Sequence, residues 1–316
     1  MTLFPEPLSL RAPRAIAAAL IVLALALVPV VAGALGEPFY VTLGARILIY
    51  ALAASGLNLV LGYGGLVSFG HALYVGLGAY TVGILAFYGV TSGWVHLTVA
   101  VGIAALVALA TGLICLRTSG MAFIMITLAF AQMFYFLGVS MKQFGGDDGL
   151  QIESRSDFGL FSVRTNTGLY YLSLVLLLLT LYLSWRLVHA RFGRVLRSAK
   201  SNVARMRVLG FPVLRYQAAA YVMSGCICAV AGVLLANLTR FTSPAYMFWT
   251  VSGELIVMVM LGGIATVLGP LVGAAVFVIL ETVLAGYTQH WMLVLGPIIV
   301  LIALSAKRGL YGSLIR

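Results

Sequence analysis

An all-α integral membrane protein with about ten transmembrane helices is the fold class this sequence predicts. Composition is the first reason: of 316 residues, 62% are hydrophobic and only 9% charged, where soluble domains carry about 25% charge. Second, apolar runs of membrane length recur from end to end, and the mean hydropathy is +1.10. Third, the charge is sorted by position. The loop at 189–215 holds Arg191, Arg194, Arg197, Lys200, Arg205, Arg207 and Arg215 and no acid, which assigns it to the cytoplasmic side.

The elements follow in order. Arg11 and Arg14 precede an apolar run that ends at Ala32-Gly33-Ala34, a pattern resembling a secretory signal. The run reaches about Leu35 and many spans follow, so it reads as a retained first span. Spans are expected near 16–35, 45–62, 71–89, 94–116, 120–140, 168–188, 216–238, 248–266, 270–287 and 291–306. That parity puts both basic termini, 1–15 and 307–316, on the cytoplasmic side. It puts 141–167 outside as a periplasmic loop, and this segment holds Asp147, Asp148, Glu153 and Asp157. Parity and charge agree. Trp94, Trp249, Trp291 and Tyr216 fall at span ends, where amphipathic rings favour the headgroup level. No soluble domain fits, so 1–316 is one transmembrane domain. The net charge of +11 lies beside span ends and argues for membrane orientation rather than nucleic acid.

Within the loop at 189–215, Leu196, Ala199, Val203, Met206 and Leu209 recur at helical spacing, so a short amphipathic helix is expected, stopped by Gly210 and Pro212. Such a helix lies on anionic lipid or docks into a groove on a cytoplasmic partner.

Two glycine-rich stretches interrupt the spans, Leu61–His71 and Leu261–Pro270. Unwound backbone in a membrane needs protein or a water-filled cavity around it. Paired breaks point to a transport pathway between inverted repeats, or else to short turns joining adjacent spans. Ala72-x-x-x-Gly76 and Gly269-x-x-x-Gly273 read as close helix packing. Glu254 is the acid expected within a span; it either faces the interior with a partner, the preferred reading, or is hydrated near the outer interface. His71 would bond unwound backbone or gate a pore, and the first is preferred. Glu281 is expected to reach the interface. Cys115, Cys226 and Cys228 lie in apolar runs and read as small core residues. Asp147-Asp148 reads as turn chemistry. The lysines sit in no phosphate-cradling loop, and no metal or nucleophile motif is present. Enzyme chemistry is thin.

Gly64-Gly65-Leu66-Val67-Ser68-Phe69-Gly70-His71-Ala72-Leu73 resembles the G-x-x-S-x-G-H-A segment of permeases in branched-chain amino acid ABC transporters, the LivM type of the LivH/LivM family. Leu128–Met133, Gly145–Leu150, Leu261-Gly262-Gly263, Gly269–Ala274 and Arg308–Gly312 are similar to further family segments, in the same order along 45–312. The resemblance implies a type II importer-like bundle in the bacterial inner membrane. It implies partnership with a second homologous permease, two cytoplasmic ATP-binding subunits and a periplasmic substrate-binding protein. No cofactor is expected in this chain; ATP and Mg would sit on the partner ATPases. The segment 189–215 then becomes the coupling loop, with Val203, Arg205, Met206, Arg207 and Gly210 as its coupling residues. The family's D-N-E-x-A-A-R-x-L-G is here Ser201–Gly210 and lacks the acid, leaving docking to apolar contact and arginines. The Arg-Gly before the fifth span is likewise altered, to Arg117-Thr118-Ser119-Gly120. Ser68, Gly70, His71 and Glu254 are the translocation-pathway candidates. Branched-chain or related amino acids are the expected cargo, with urea, short amides and aromatic acids as alternatives. An ion-coupled secondary carrier should show several intramembrane acids or Arg–acid pairs, and a channel would need no docking helix.

Overall fold

The computed structural model describes residues 24–34, 36–159, 165–305 and 309–314. The start of the expected first span, Arg11 and Arg14, Arg164, and Lys307 and Arg308 lie outside the described residues, as does the side chain of Trp291. The helices are α1 Ala24–Ala34, α2 Pro38–Asn58, α3 His71–Phe87, α4 Gly93–Cys115, α5 Met121–Ser140, α6 Asn166–His189, α7 Arg191–Ser201 and α8 Val203–Val208. After them come α9 Val213–Thr239, α10 Trp249–Gly262, α11 Gly269–Tyr287, α12 Trp291–Ser305 and α13 Gly309–Leu314. Pro38 at the first position starts α2, and the Thr165 hydroxyl accepts from Gly168 N to cap α6.

Among the described residues, six helices are long and apolar enough to cross a membrane; α1, α3 and α10 are shorter. Six full-length spans are what the described residues show, and α3 and α10 are short because of two non-helical stretches. A π-helical turn, Leu59–Tyr63, prolongs α2, and 64–70 is then irregular before α3 begins. The strand β2 (Phe241–Thr242) and a 3-10 turn, Pro244–Met247, likewise precede α10. At 14 residues, α10 is about 21 Å long.

The long helix α9 forms the centre, packed on α2, α3 and α4. Gly232 and Gly78 allow this: a Cβ on Gly232 would fall on the Val75 carbonyl, and one on Gly78 on the Ala229 carbonyl. Backbones in contact at small residues are the usual means of association where no hydrophobic force acts between helices. Gly273 plays the same part against Met258 O and Gly262, so Gly269-x-x-x-Gly273 packs α11 on α10, while Gly76 lies under Met247. Cys228 Sγ faces Ala53 O, Cys226 Sγ faces Val101 O, and Cys115 is buried.

Contacts fix the chain directions. His71 meets Ser224 and Gly78 meets Ala229, so α3 runs parallel to α9. The stretch 242–252 runs back along α3, with Thr242 beside Gly83, Met247 beside Gly76 and Ser252 at Ala72. The first turns of α3 and α10 thus meet at the level of mid-α9, and their preceding irregular stretches come from opposite ends of the bundle. Of the two readings left open for 261–270, the structure takes the second: it is a turn joining α10 to α11, and the other interruption within the bundle is 240–248. Trp249 begins a helix inside the bundle depth, because the irregular chain before it has already carried it there.

Candidate functional site: two helix breaks and the basic segment seated on one of them

The motif Ser68-x-Gly70-His71 builds the joint at which α2, α3, α9 and α10 meet. His71 and Ser68 are fully buried. His71 Nδ1 lies 3.0 Å from Ser68 Oγ and Nε2 lies 2.9 Å from Ser224 Oγ. Ser224 donates its proton to Gly56 O at 2.5 Å. It must then accept from His71, which makes the ring the Nε2–H tautomer, with Nδ1 accepting from Ser68. Ser68 Oγ also accepts from Gly70 N, Thr127 Oγ1 accepts from Phe69 N, and Ser252 Oγ accepts from Ala72 N. The backbone at the break is thus satisfied by Ser68 of the same stretch and by side chains from two other helices, α5 and α10, as a water-poor interior demands. His71 bonds serine hydroxyls rather than unwound backbone. Tyr74 and Tyr221 enclose it edge-on, with centroids 5.8 and 5.5 Å away.

A second polar junction closes the α7-facing end of the first break. Asn58 Nδ2 donates to Thr266 O at 2.8 Å, and Asn58 Oδ1 accepts from Ala265 N at 3.1 Å. One amide thereby ties the end of α2 to the α10–α11 turn. Lys200, on α7, donates to Gly62 O at 2.9 Å. Gly309, at the start of α13, lies directly against Gly263, so the chain's last helix abuts the same turn.

The basic segment is two helices, not the single one its stripe predicts. Asn202 leaves helical geometry (φ −159°, ψ 103°), and its side chain accepts from Arg205 N to cap α8. Leu196 packs on Leu59, Tyr63 and Ala220, seating α7 on the π turn. Val195, Ala199, Met206 and Val213 form a small core with Val203 and Tyr216 against it. Leu209 departs from the expected stripe: it is 63% exposed, and Val208 is 88% exposed, because the cap turns α8 relative to α7. Of the coupling candidates, Met206 points inward and Val203 is half-buried, while Arg205, Arg207 and Gly210 are exposed. Gly210 takes φ 83° and ends the segment.

Glu254 does not join the Ser68–His71 joint. It lies within electrostatic reach of Glu281 and Arg46, and Arg46 Nη2 donates to Glu281 Oε1 at 2.7 Å. Glu281 is thus paired with α2, along which α11 is packed, with Arg46 38% and Glu281 17% exposed. Arg46 also lies over the Tyr50 ring, 5.7 Å from its centroid. The residues that sequence reasoning missed are Asn58, Lys200, Ser224 and the Arg46–Glu281 pair. Asn58 carried a faint signal as an amide in an apolar run.

At the opposite end, 150–158 is sewn to the bundle. The strand β1 (Leu150–Gln151) pairs antiparallel with β2, Leu150 opposite Thr242 and Gln151 opposite Phe241. Ser156 N donates to Asn237 Oδ1 at 2.7 Å, His96 Nδ1 lies 2.6 Å from Ser156 Oγ, and Gly93 N donates to Asp157 O. Asp147 and Asp148 sit exposed in a turn where Gly145, Gly146 and Gly149 all have positive φ. A cavity of about 280 Å³ there is lined by Thr91, Glu153, Ser154, Arg155, Asp157 and Arg240. Burial, and then the neighbouring Arg240, hold the Arg155 guanidinium below its usual range.

Helices of membrane length with satisfied breaks between them define a multi-pass membrane protein. Residues 39–304 match the family described as branched-chain amino acid transport system / permease component, and the chain belongs to that family. It is 27% identical over 306 residues to the high-affinity branched-chain amino acid transport system permease protein LivM of Salmonella typhimurium, covering 88% of this chain and 72% of that protein. Identity is also 27% over 287 residues to LivM of Escherichia coli, covering 83% and 68%. To the companion permease protein LivH of Escherichia coli it is 25% over 294 residues, covering 86% and 93%. No solved structure matches the chain.

Proposed function

We propose that this chain is the membrane-spanning subunit of an ATP-driven importer that moves branched-chain or related amino acids by alternating access. The reading places it in a type II importer-like bundle with a second permease, two cytoplasmic ATPases and a periplasmic binding protein. ATP and Mg belong to the ATPases. Residues 189–215 and both termini face the cytoplasm, and 141–167 faces the periplasm. The carrying observation is the basic segment itself. Its inner side is seated on a helix break, while its outer side presents Arg205, Arg207, Val208 and Leu209 to solvent. An apolar tip ringed by arginines is suited to a partner's groove. Met206 and Val203 hold α8 in place, and Gly210 forms the turn. Ser68, Gly70, His71 and Glu254 border the route, at the level where α3 and α10 begin. Those two helices enter from opposite ends, as an inverted repeat would arrange them.

The Arg46–Glu281 pair with Glu254 nearby is the one feature that favours an ion-coupled carrier. Reconstitution separates the two. ATP-dependent uptake of leucine by the complex supports the importer, and uptake driven by an imposed proton or sodium gradient without ATPases overturns it. Urea and phenylalanine as competitors test the alternative cargoes. Gly210→Pro should reduce uptake at least tenfold at normal membrane level, because proline fixes φ near −65° where this turn needs 83°. Equal uptake would refute the coupling assignment.

A further inference from the structure

We infer that Lys200 is a positioning residue that keeps the basic segment in register with the first helix break and the α10–α11 turn, so that α7 and that turn move as one body. The inference rests on reading 189–215 as the ATPase-coupling segment. Two kinds of contact join α7 to the first break. Leu196 makes an apolar contact with Leu59 and Tyr63, which resists separation but has no direction and lets surfaces slide. Lys200 supplies the direction: its Nζ holds Gly62 O at 2.9 Å, and its stem lies across Gly65, where a Cβ would come within 2.6 Å of Lys200 Cγ. Gly65 has φ 71°, so the chain turns directly beneath the lysine.

From Gly62 the connection continues without a gap. Asn58 lies one turn earlier, so close that a Cβ on Gly62 would fall on its Oδ1. Its amide grips Ala265 N and Thr266 O on the second stretch. Lys200, Gly62, Asn58 and the 263–266 turn form one connected path from the basic segment to α10 and α11, hydrogen-bonded at both ends and close-packed between Gly62 and Asn58. Arg197 takes no part, for it bonds Gly193 O and Val188 O within its own neighbourhood. A lysine inside an arginine-rich segment is suited to this place, because a compact ammonium on a flexible stem caps a single carbonyl where a planar guanidinium favours a fork.

The test uses the full complex with both permeases, the ATPases and the binding protein, with leucine as the probe solute. Lys200→Met keeps the stem and removes the charge. It should leave ATPase retention unchanged and lower leucine moved per ATP hydrolysed roughly three- to tenfold, on the order of one net hydrogen bond. Lys200→Arg, which keeps a charged donor but replaces the single-point ammonium with a fork, should restore only part of the loss. Asn58→Leu should give the same phenotype, and the double variant should be no worse than either single one, the sign of a shared connection. An independent readout needs no solute: nitroxides at the exposed positions Ser198 and Ile264 should keep one distance between resting and ATP-trapped states. In Lys200→Met that distance should change or broaden. An unchanged leucine-to-ATP ratio, an unchanged nitroxide distance, or loss of the ATPases from Lys200→Met overturns the inference. A wild-type complex that retains no ATPase overturns the parent reading instead.

Discussion

The two helix breaks are built from similar parts and held in opposite ways. Each follows a helix that carries an asparagine near its end, Asn58 in α2 and Asn237 in α9, and each asparagine holds backbone from a distant loop. At the outer break that loop is stitched down many times over. The β1–β2 pair, Ile152 N donating to Arg240 O, His96 on Ser156 and the bridge between Ser92 and Asp157 all fix it. At its α7-facing end the first break is crossed, among the described residues, by the Asn58 amide, the Lys200 tether and the apolar seat of Leu196. The lesson is that the same local geometry serves as an anchor or as a hinge according to how many independent groups cross it. Regions with few crossing contacts open at the lowest free energy.

The largest expected effect is at the centre, where the two breaks share one joint. His71→Leu removes the acceptor for Ser68 and the donor to Ser224, and should cost about 2–4 kcal/mol. An unfolding titration in detergent would register this as a lower midpoint. A midpoint equal to wild type would mean the joint does not bind the halves together.

Next in size is the outer break. Asn237 is 1% exposed, and Asn237→Leu leaves Ser156 N without its acceptor, at about 1–3 kcal/mol. Hydrogen exchange at 154–157 and 240–247 should quicken while leucine moved per ATP stays constant. A change in that ratio would erase the distinction between anchor and hinge. The smallest effect belongs to Val203→Glu. Val203 is half-buried at the first position of α8, where the helix N-terminus favours a carboxylate and partly offsets the lost contact. Stability should shift by less than about 0.5 kcal/mol, with ATPase capture unaltered in a pull-down.

Much of this was legible one segment at a time. Leu61–His71 announced an interruption because Gly62, Gly64, Gly65 and Gly70 break helical continuity within a span. The seven cations of 189–215 marked that segment as a separate amphipathic element. The cap at Asn202 was open to the same reasoning, since an asparagine before Val203-Ala204-Arg205 is a helix start signal; the apolar stripe across it masked the boundary. Glu281 could not be placed that way. Its span is apolar on every face, so nothing along the chain says which side meets lipid and which meets α2.

Sequence by itself determined the membrane class, the location of the first break and the existence of a basic amphipathic segment, because hydropathy, glycine and charge act within a few residues of where they stand. Tertiary structure decided that Asn58 finds residues 265–266, that Arg46 finds Glu281, 235 residues away, and that Lys200 comes to rest on Gly62. Those pairings depend on how each helix is turned about its axis and how close α9 lets its neighbours approach, and backbone contact at Gly78 and Gly232 sets both.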